Sequence, residues 1–207
     1  KIFEIGNIIQ KEIINFQDQT NSSCDNQKLK ILILGGSQAA KVFAEKLPKI
    51  FDQCVNNNIN LKIFQQCLPE QNEYLISFYK DLKINFEIFN FSNNIISYYS
   101  KINLAITRSG SSVLAELINA KIPFISVPLP TSVDDHQLKN AIYYRKKGYS
   151  YLVNEKNLDK ELFNLIKKID RDKSLLKMIK SKQREFSDKN VYENIDNQMS
   201  RIFNEKN

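Results

Sequence analysis

Histidine occurs once in these 207 residues, cysteine three times and glycine five times. No apolar run approaches the length of a membrane span. A lone histidine, His136, gives little support to a metal site or a Ser-His-Asp relay. The cysteines, Cys24, Cys54 and Cys67, are odd in number and lack paired metal-type spacing. They read as reduced thiols of a cytoplasmic protein, buried for structural reasons. Without about 20 consecutive apolar residues or a signal-peptide pattern, the expectation is a soluble protein that can still work at a membrane surface. Arginine supplies only 5 of the 30 basic residues, and lysines are interleaved with acids along the chain. The net charge of +7 therefore reads as a solvated surface with mild attraction for anionic ligands or membranes. It is a weak nucleic-acid footprint.

The shortage of glycine excludes two nucleotide chemistries. A dinucleotide site needs Gly-x-Gly-x-x-Gly after its first strand and an acid ending its second. Here the first turn reads Gly35-Gly36-Ser37-Gln38-Ala39-Ala40 and the second strand ends Gln65-Gln66. No Walker motif is present either, which disfavours nucleoside triphosphate hydrolysis.

What the chain does have is alternation. Lys30–Leu34, Leu61–Gln65, Ile84–Phe89, Asn103–Thr107, Pro123–Val127 and Tyr149–Val153 are short apolar runs, read as strands. Between them lie helical stretches at about 38–54, after Pro69-Glu70, at 93–100, after Ser109, and at about 134–147 with Gly148 as its stop. The spacing predicts an α/β fold, a Rossmann-like doubly wound parallel sheet of six strands with ligands at the carboxyl ends of the strands. Residues 1–29 read as a Gly6-Asn7 turn followed by a polar linker, the tail of something preceding. Residues 30–155 read as the sheet domain and 156–207 as two or three charged amphipathic helices.

The sharpest stretch is Thr107-Arg108-Ser109-Gly110-Ser111-Ser112-Val113, where a strand turns at once into a helix. Small residues there leave helix N-terminal N–H groups accessible, which suits an anion. Glu116, just over one turn later, suits ribose hydroxyls. The competing explanation is an ordinary turn capped by serine, with Glu116 on a solvated face. Gly36 and Ser37 open a second turn that lets backbone approach a phosphate or sugar, or simply packs closely. His136 and Asn140, at i, i+4, and Gln137 and Asn140, at i, i+3, present amide and imidazole groups suited to sugar hydroxyls. Alternatively, Asp134 and Asp135 cap that helix and the rest face water.

Together, Gly35-Gly36-Ser37-Gln38-Ala39-Ala40, Thr107-Arg108-Ser109-Gly110 with Glu116, Val127-Pro128-Leu129-Pro130, and Asp134-Asp135-His136-Gln137 with Asn140-Ala141 resemble one family. It is the bacterial N-acetylglucosaminyltransferase that makes lipid II in peptidoglycan synthesis, in its C-terminal, donor-binding half. Gly6-Asn7-Ile8-Ile9-Gln10 resembles that family's interdomain segment.

The resemblance implies a GT-B architecture and UDP-N-acetylglucosamine as donor substrate, with no cofactor required. It places Ser37 near the diphosphate and the Ser92 backbone at the uracil. Ser111, Ser112 and Val113 then meet phosphate, Glu116 the ribose, and His136, Gln137 and Asn140 the sugar. Arg108, Gly110, Gly36 and Gln10 complete the implied contact set. The implied reaction is inverting: the 4-hydroxyl of a lipid-linked muramic acid attacks the anomeric carbon and UDP departs. The implied location is cytoplasmic, peripheral on the inner face of the plasma membrane. The chain departs from the family at Gln10, where it has arginine, and at Ala39 and Lys121, where it has glycine; weaker donor affinity follows. The acceptor domain and its general base are absent, so this chain alone is expected to be inactive. Rival readings are the catalytic subunit of a split transferase, a UDP-sugar epimerase, and a non-catalytic nucleotide-sugar-binding module.

Overall fold

The computed structural model describes residues 5–16, 28–92 and 94–204, with 37–40 and 203–204 described by backbone alone. Cys24 and most of the polar stretch read as a linker lie outside the described residues. Six strands form one sheet in the order β3-β2-β1-β4-β5-β6. They are β1 (Leu29–Leu34), β2 (Leu61–Gln66), β3 (Asn85–Phe89), β4 (Leu104–Thr107), β5 (Phe124–Ser126) and β6 (Tyr151–Leu152). All five pairings are parallel. The chain builds outward from β1 to β3, returns to the centre, and builds the other way from β4 to β6. The order therefore reverses between β1 and β4, where a crevice opens at the carboxyl edge.

Helices cover both faces. On one side lie α2 (Gly36–Asn56), α3 (Asn72–Asp81) and α7 (Leu158–Arg171); on the other lie α1 (Lys11–Ile14), α4 (Ile96–Tyr99) and α5 (Ser111–Asn119). This explains why the central strand is almost continuously apolar: its side chains alternate between two buried faces. Ile31 and Ile33 join Phe43, Leu47, Leu162 and Ile166 in one core. Leu32 joins Tyr99, Leu114 and Leu117 in the other. α6 (His136–Lys146) adds Tyr144 to the second core, α8 (Ser174–Arg184) adds Leu176 to the first, and α9 (Val191–Asn204) ends the described chain.

Boundaries differ from the sequence reading where polar contacts intervene. The sixth strand is only two residues long, because the Gly148 and Tyr149 N–H groups return to Arg145 and Tyr144 carbonyls at the end of α6. The turn expected at Gly6-Asn7 is absent. Gly6 has φ +94°, and Asn7 instead gives its backbone N–H and side-chain Nδ2 to the two carboxylate oxygens of Asp188, each at 3.0 Å. Nor do Asp134 and Asp135 cap α6. Both adopt left-handed backbone (φ 49° and 54°), Asp135 makes no side-chain cap bond, and the helix starts at His136.

Candidate functional site

The site begins with how β4 ends. The Arg108 N–H donates to the Leu34 carbonyl and the Thr107 hydroxyl donates to the same oxygen, tying the turn to the end of β1. Gly110 then adopts extended backbone (φ −65°, ψ 141°) and starts α5 without a side-chain cap. The N–H groups of Ser111, Ser112 and Val113 thus have no partner inside the helix. Ser111 and Ser112 are exposed and Val113 is half-buried.

Glu116 lies about 7.5 Å farther along the axis at 1.5 Å per residue. It is half-buried, and its Oε2 accepts a 3.3 Å hydrogen bond from the Tyr99 hydroxyl on α4. Burial pushes the Glu116 pKa up, and the Tyr99 bond opposes that shift. Burial, reinforced by the Glu116 charge, pushes the Tyr99 phenol upward too. The pair is therefore a phenol donating to a carboxylate in a partly dry pocket.

Of these groups Val113 and Glu116 line a cavity of about 460 Å³, with Gly110 before them. Gly36, Ser92, Arg108, Gly110, Val113, Glu116 and Gln137 all line it, so the fold brings together residues spread over a hundred positions. Gln66, Phe91 and Ile95, which the sequence reading passed over as contact residues, line it as well. Phe91 is 79% exposed, a large ring held in water at the cavity mouth. An exposed aromatic cannot be read from a single Phe codon in a loop; its neighbourhood has to be seen. The end of β3 that presents it is fixed by Asn90, whose Nδ2 donates to the Cys67 carbonyl at 3.0 Å and to Asn72 Oδ1 at 2.9 Å.

Other expected contacts are placed elsewhere or are occupied. Gln137 Oε1 accepts from the Ser109 and Leu129 N–H groups at 3.2 and 3.1 Å. Asn140 Nδ2 donates to the Ser109 carbonyl at 3.1 Å. Both amides thus brace the turn. Arg108 is 5% exposed; its Nη1 donates to the Val127 and Pro128 carbonyls, each at 3.2 Å, and its Nη2 pairs with Glu155. His136 is exposed, with Nδ1 2.8 Å from the Val133 carbonyl, and lines neither this cavity nor its neighbour. Gln10 is exposed at the start of α1, outside both. Nothing is described of the Ser37 side chain. Ser111 and Asn140 line a second, larger cleft of about 940 Å³, bounded by Gly6, Asn7, Tyr143 and the segment Phe186–Val191.

One departure from the resembled family has structural expression. Lys121 sits at φ 59° just after α5, in a helix-ending motif where the Lys121 and Ile122 N–H groups return to the Ile118 and Leu117 carbonyls. That position favours glycine. Lys121 offsets the strain with a 2.5 Å hydrogen bond from Nζ to the Phe186 carbonyl. The two described cysteines are buried, and burial pushes the Cys54 thiol up to about 12, so it is held inert.

Electrostatically, an uncapped helix start, a half-buried carboxylate and a flanking exposed ring form a crevice complementary to a ligand carrying anion, hydroxyls and a flat base. No described helix is long and apolar enough to cross a membrane.

Comparison with known proteins gives the arrangement its relatives. The chain is 35% identical over 206 residues to the Pelagibacter ubique UDP-N-acetylglucosamine--N-acetylmuramyl-(pentapeptide) pyrophosphoryl-undecaprenol N-acetylglucosamine transferase, covering 99% of this chain and 57% of that protein. It therefore spans a little over half the length of that curated relative. Its fold matches the crystal structure of Acinetobacter baumannii MurG with a TM-score of 0.79 and 27% identity, over 91% of this chain and 55% of the other. The S. aureus MnaA–UDP co-structure shares the fold alone, at 12% identity and TM-score 0.61 over 90% of this chain and 50% of the other. The model of the glycosyltransferase family 28 C-terminal domain matches residues 30–195, and the chain belongs to that family.

Proposed function

We propose that this chain is the donor-binding half of an inverting N-acetylglucosaminyltransferase that uses UDP-N-acetylglucosamine and a lipid-linked muramyl acceptor. The observation that carries this reading is the cavity between β1 and β4, where the uncapped start of α5 and the Glu116 carboxylate face one space. In it the uracil lies against Phe91 with its polar edge on the Ser92 backbone. The ribose hydroxyls donate to Glu116, and the diphosphate takes the N–H groups of Ser111, Ser112 and Val113. Gly36 keeps the facing turn free of side-chain bulk: a Cβ added there would meet nothing within 4 Å, so the space is open to ligand. Gln137 and Asn140 serve the donor mainly by fixing the Ser109 backbone.

In the transfer step the acceptor hydroxyl attacks the anomeric carbon while the bond to the diphosphate breaks. Charge accumulates on the departing UDP, where the N-terminal N–H groups of α5 are already oriented. A helix terminus contributes about 0.3–1 kcal/mol when exposed and up to roughly 2 when partly buried. It is one part of the barrier reduction; deprotonating the acceptor belongs to the preceding half of the enzyme. The lipid-linked acceptor places the reaction at the inner face of the plasma membrane, with the protein held peripherally.

The test is isothermal titration of this chain with UDP and UDP-N-acetylglucosamine, for wild type and Glu116→Ala. Loss of the charged acceptor for the ribose should weaken both ligands by about tenfold or more, since hydrogen bonds to charged groups contribute about 1.5–3 kcal/mol. Equal binding by the two proteins removes Glu116 from the site, and equal affinity for GDP and UDP removes the uracil assignment.

A further inference from the structure

Arg108 stands at the strand end that leads into the diphosphate turn, which invites the reading that its charge contacts phosphate. Its surroundings argue otherwise. The guanidinium is 5% exposed, lies 4.9 Å from the Phe43 ring centroid, and bonds two successive carbonyls of the loop after β5. Its counter-charge is Glu155, on the turn that follows β6. A buried guanidinium needs such a partner, and the pair presents no net charge to the cavity.

We propose that Glu155 is a positioning residue for donor binding, acting through Arg108. Four segments meet at one backbone turn. Glu155 holds Arg108, Arg108 holds the Val127 and Pro128 carbonyls, Gln137 joins the Leu129 and Ser109 N–H groups, and Asn140 takes the Ser109 carbonyl. Both polar groups of the Ser109 backbone are thereby occupied. Beyond Ser109 a diphosphate is offered the N–H groups of Gly110 and the first turn of α5, and their direction is set by the clamp beneath. Glu155 touches no part of the bound nucleotide; it determines where those donors point. This rests on the reading that a nucleoside diphosphate binds at α5.

The experiment is Glu155→Gln in the full chain, titrated calorimetrically with UDP and separately with uridine. Uridine needs only the Phe91–Ser92 and Glu116 contacts, so its affinity should stay within about twofold. UDP should weaken by roughly tenfold, below the hundredfold that a displacement of about 1 Å can cost an oriented group. An equal loss for both ligands would mean general destabilisation and overturns the proposal. A gain in UDP affinity would mean that Arg108, released from its partner, is itself the phosphate ligand, and also overturns it. Glu155→Asp, which keeps the charge but shortens the reach, is read by the same two titrations if the glutamine variant does not fold. Amide NMR spectra of the ligand-free proteins separate this from the nucleotide reading. Shifts at Ser109, Gly110 and Ser111 with none at Glu87 are expected whether or not UDP binds; unmoved turn amides refute the clamp. Failure of the wild-type chain to bind UDP would refute the nucleotide reading instead.

Discussion

Removing the Asp188 carboxylate should cost this fold about 3 kcal/mol, although Asp188 lies in a loop between two surface helices. The residue is 5% exposed. Its oxygens accept from the Asn7 N–H and Asn7 Nδ2, each at 3.0 Å, and from Asn119 Nδ2 at 2.8 Å. Its own N–H donates to Asn119 Oδ1 at 3.0 Å. Three charge-assisted bonds would sum to roughly 4.5–9 kcal/mol at 1.5–3 each. Two of them end on half-exposed Asn7, where water replaces much of the loss, and Asn119 Nδ2 keeps the Ala115 carbonyl at 2.9 Å. Discounting for both leaves about 3 kcal/mol. At roughly 2–4 °C per kcal/mol for a chain of this size, Asp188→Ala should lower Tm by about 6–12 °C. Asn7→Ala should cost about 1 kcal/mol, since Asp188 keeps Asn119. The double variant should be no worse than Asp188→Ala alone, because both remove the same bonds. Chemical and thermal denaturation give all three values. Additive losses, or a loss below about 1 kcal/mol for Asp188→Ala, would refute the idea that one buried carboxylate fastens the segment before β1 to the end of α5.

Two further predictions follow the same physics. Burial raises the Glu116 pKa, so its proton binds more tightly in the folded chain than in the unfolded one. Its contribution therefore favours the fold below the ordinary carboxylate value and is lost as pH rises through the raised one. In the proposed pose the ribose hydroxyls donate to the ionised form, so UDP affinity should fall as pH drops through that raised value. Tyr99→Phe removes the bond that stabilises the carboxylate, so the fall should begin at higher pH; a profile unmoved by Tyr99→Phe would contradict the pairing. At Lys121, Lys121→Ala keeps the left-handed backbone and loses the bond to Phe186, whereas Lys121→Gly also relieves the strain. The glycine variant should therefore unfold at higher denaturant than the alanine variant, by about 1 kcal/mol. The reverse order would mean that the lysine backbone is unstrained.

The sheet was legible because its signals are local and agree with one another. Near-continuous apolar runs such as Ile31–Leu34, separated by helical stretches with Gly or Pro at their ends, leave few arrangements besides a parallel sheet covered on both sides. The Ser-Gly turn into α5 and the place of Glu116 one turn later were legible for the same reason. What resisted reading were polar side chains whose chemistry suits a ligand and the backbone equally well. An amide that hydrogen-bonds a sugar hydroxyl also bonds a peptide group, so Gln137 and Asn140 suit a sugar, while in the structure their bonds go to the Ser109 and Leu129 backbone. Arg108 was read as a ligand contact for the same reason, since its partner Glu155 lies 47 residues away. Asn7 and Asp188 are 181 positions apart, beyond any local pattern. Gly6 looked like a turn glycine, yet its need is different: a Cβ there would stand 2.7 Å from Asp188 Oδ1.

Arg108, Gln137 and Asn140 share a consequence for the site. A strand-to-helix turn offers an anion more N–H donors than one diphosphate can use, and undirected donors bind weakly. Here the Arg108 N–H is committed to Leu34, the Ser109 N–H to Gln137 and the Leu129 N–H to the same amide oxygen. The large cation nearby is neutralised by Glu155 and aimed at carbonyls. What remains free is Gly110 and the first turn of α5, four N–H groups of fixed direction at the positive end of a helix dipole. Selectivity then comes from elimination as much as from attraction. In the proposed pose a loose anion finds one small patch of donors, whereas a ligand that also carries a pentose and a flat base reaches Glu116 and Phe91, which line the same cavity. On the proposed reading, side chains that brace the turn rather than bind the ligand are what make the contacting backbone specific.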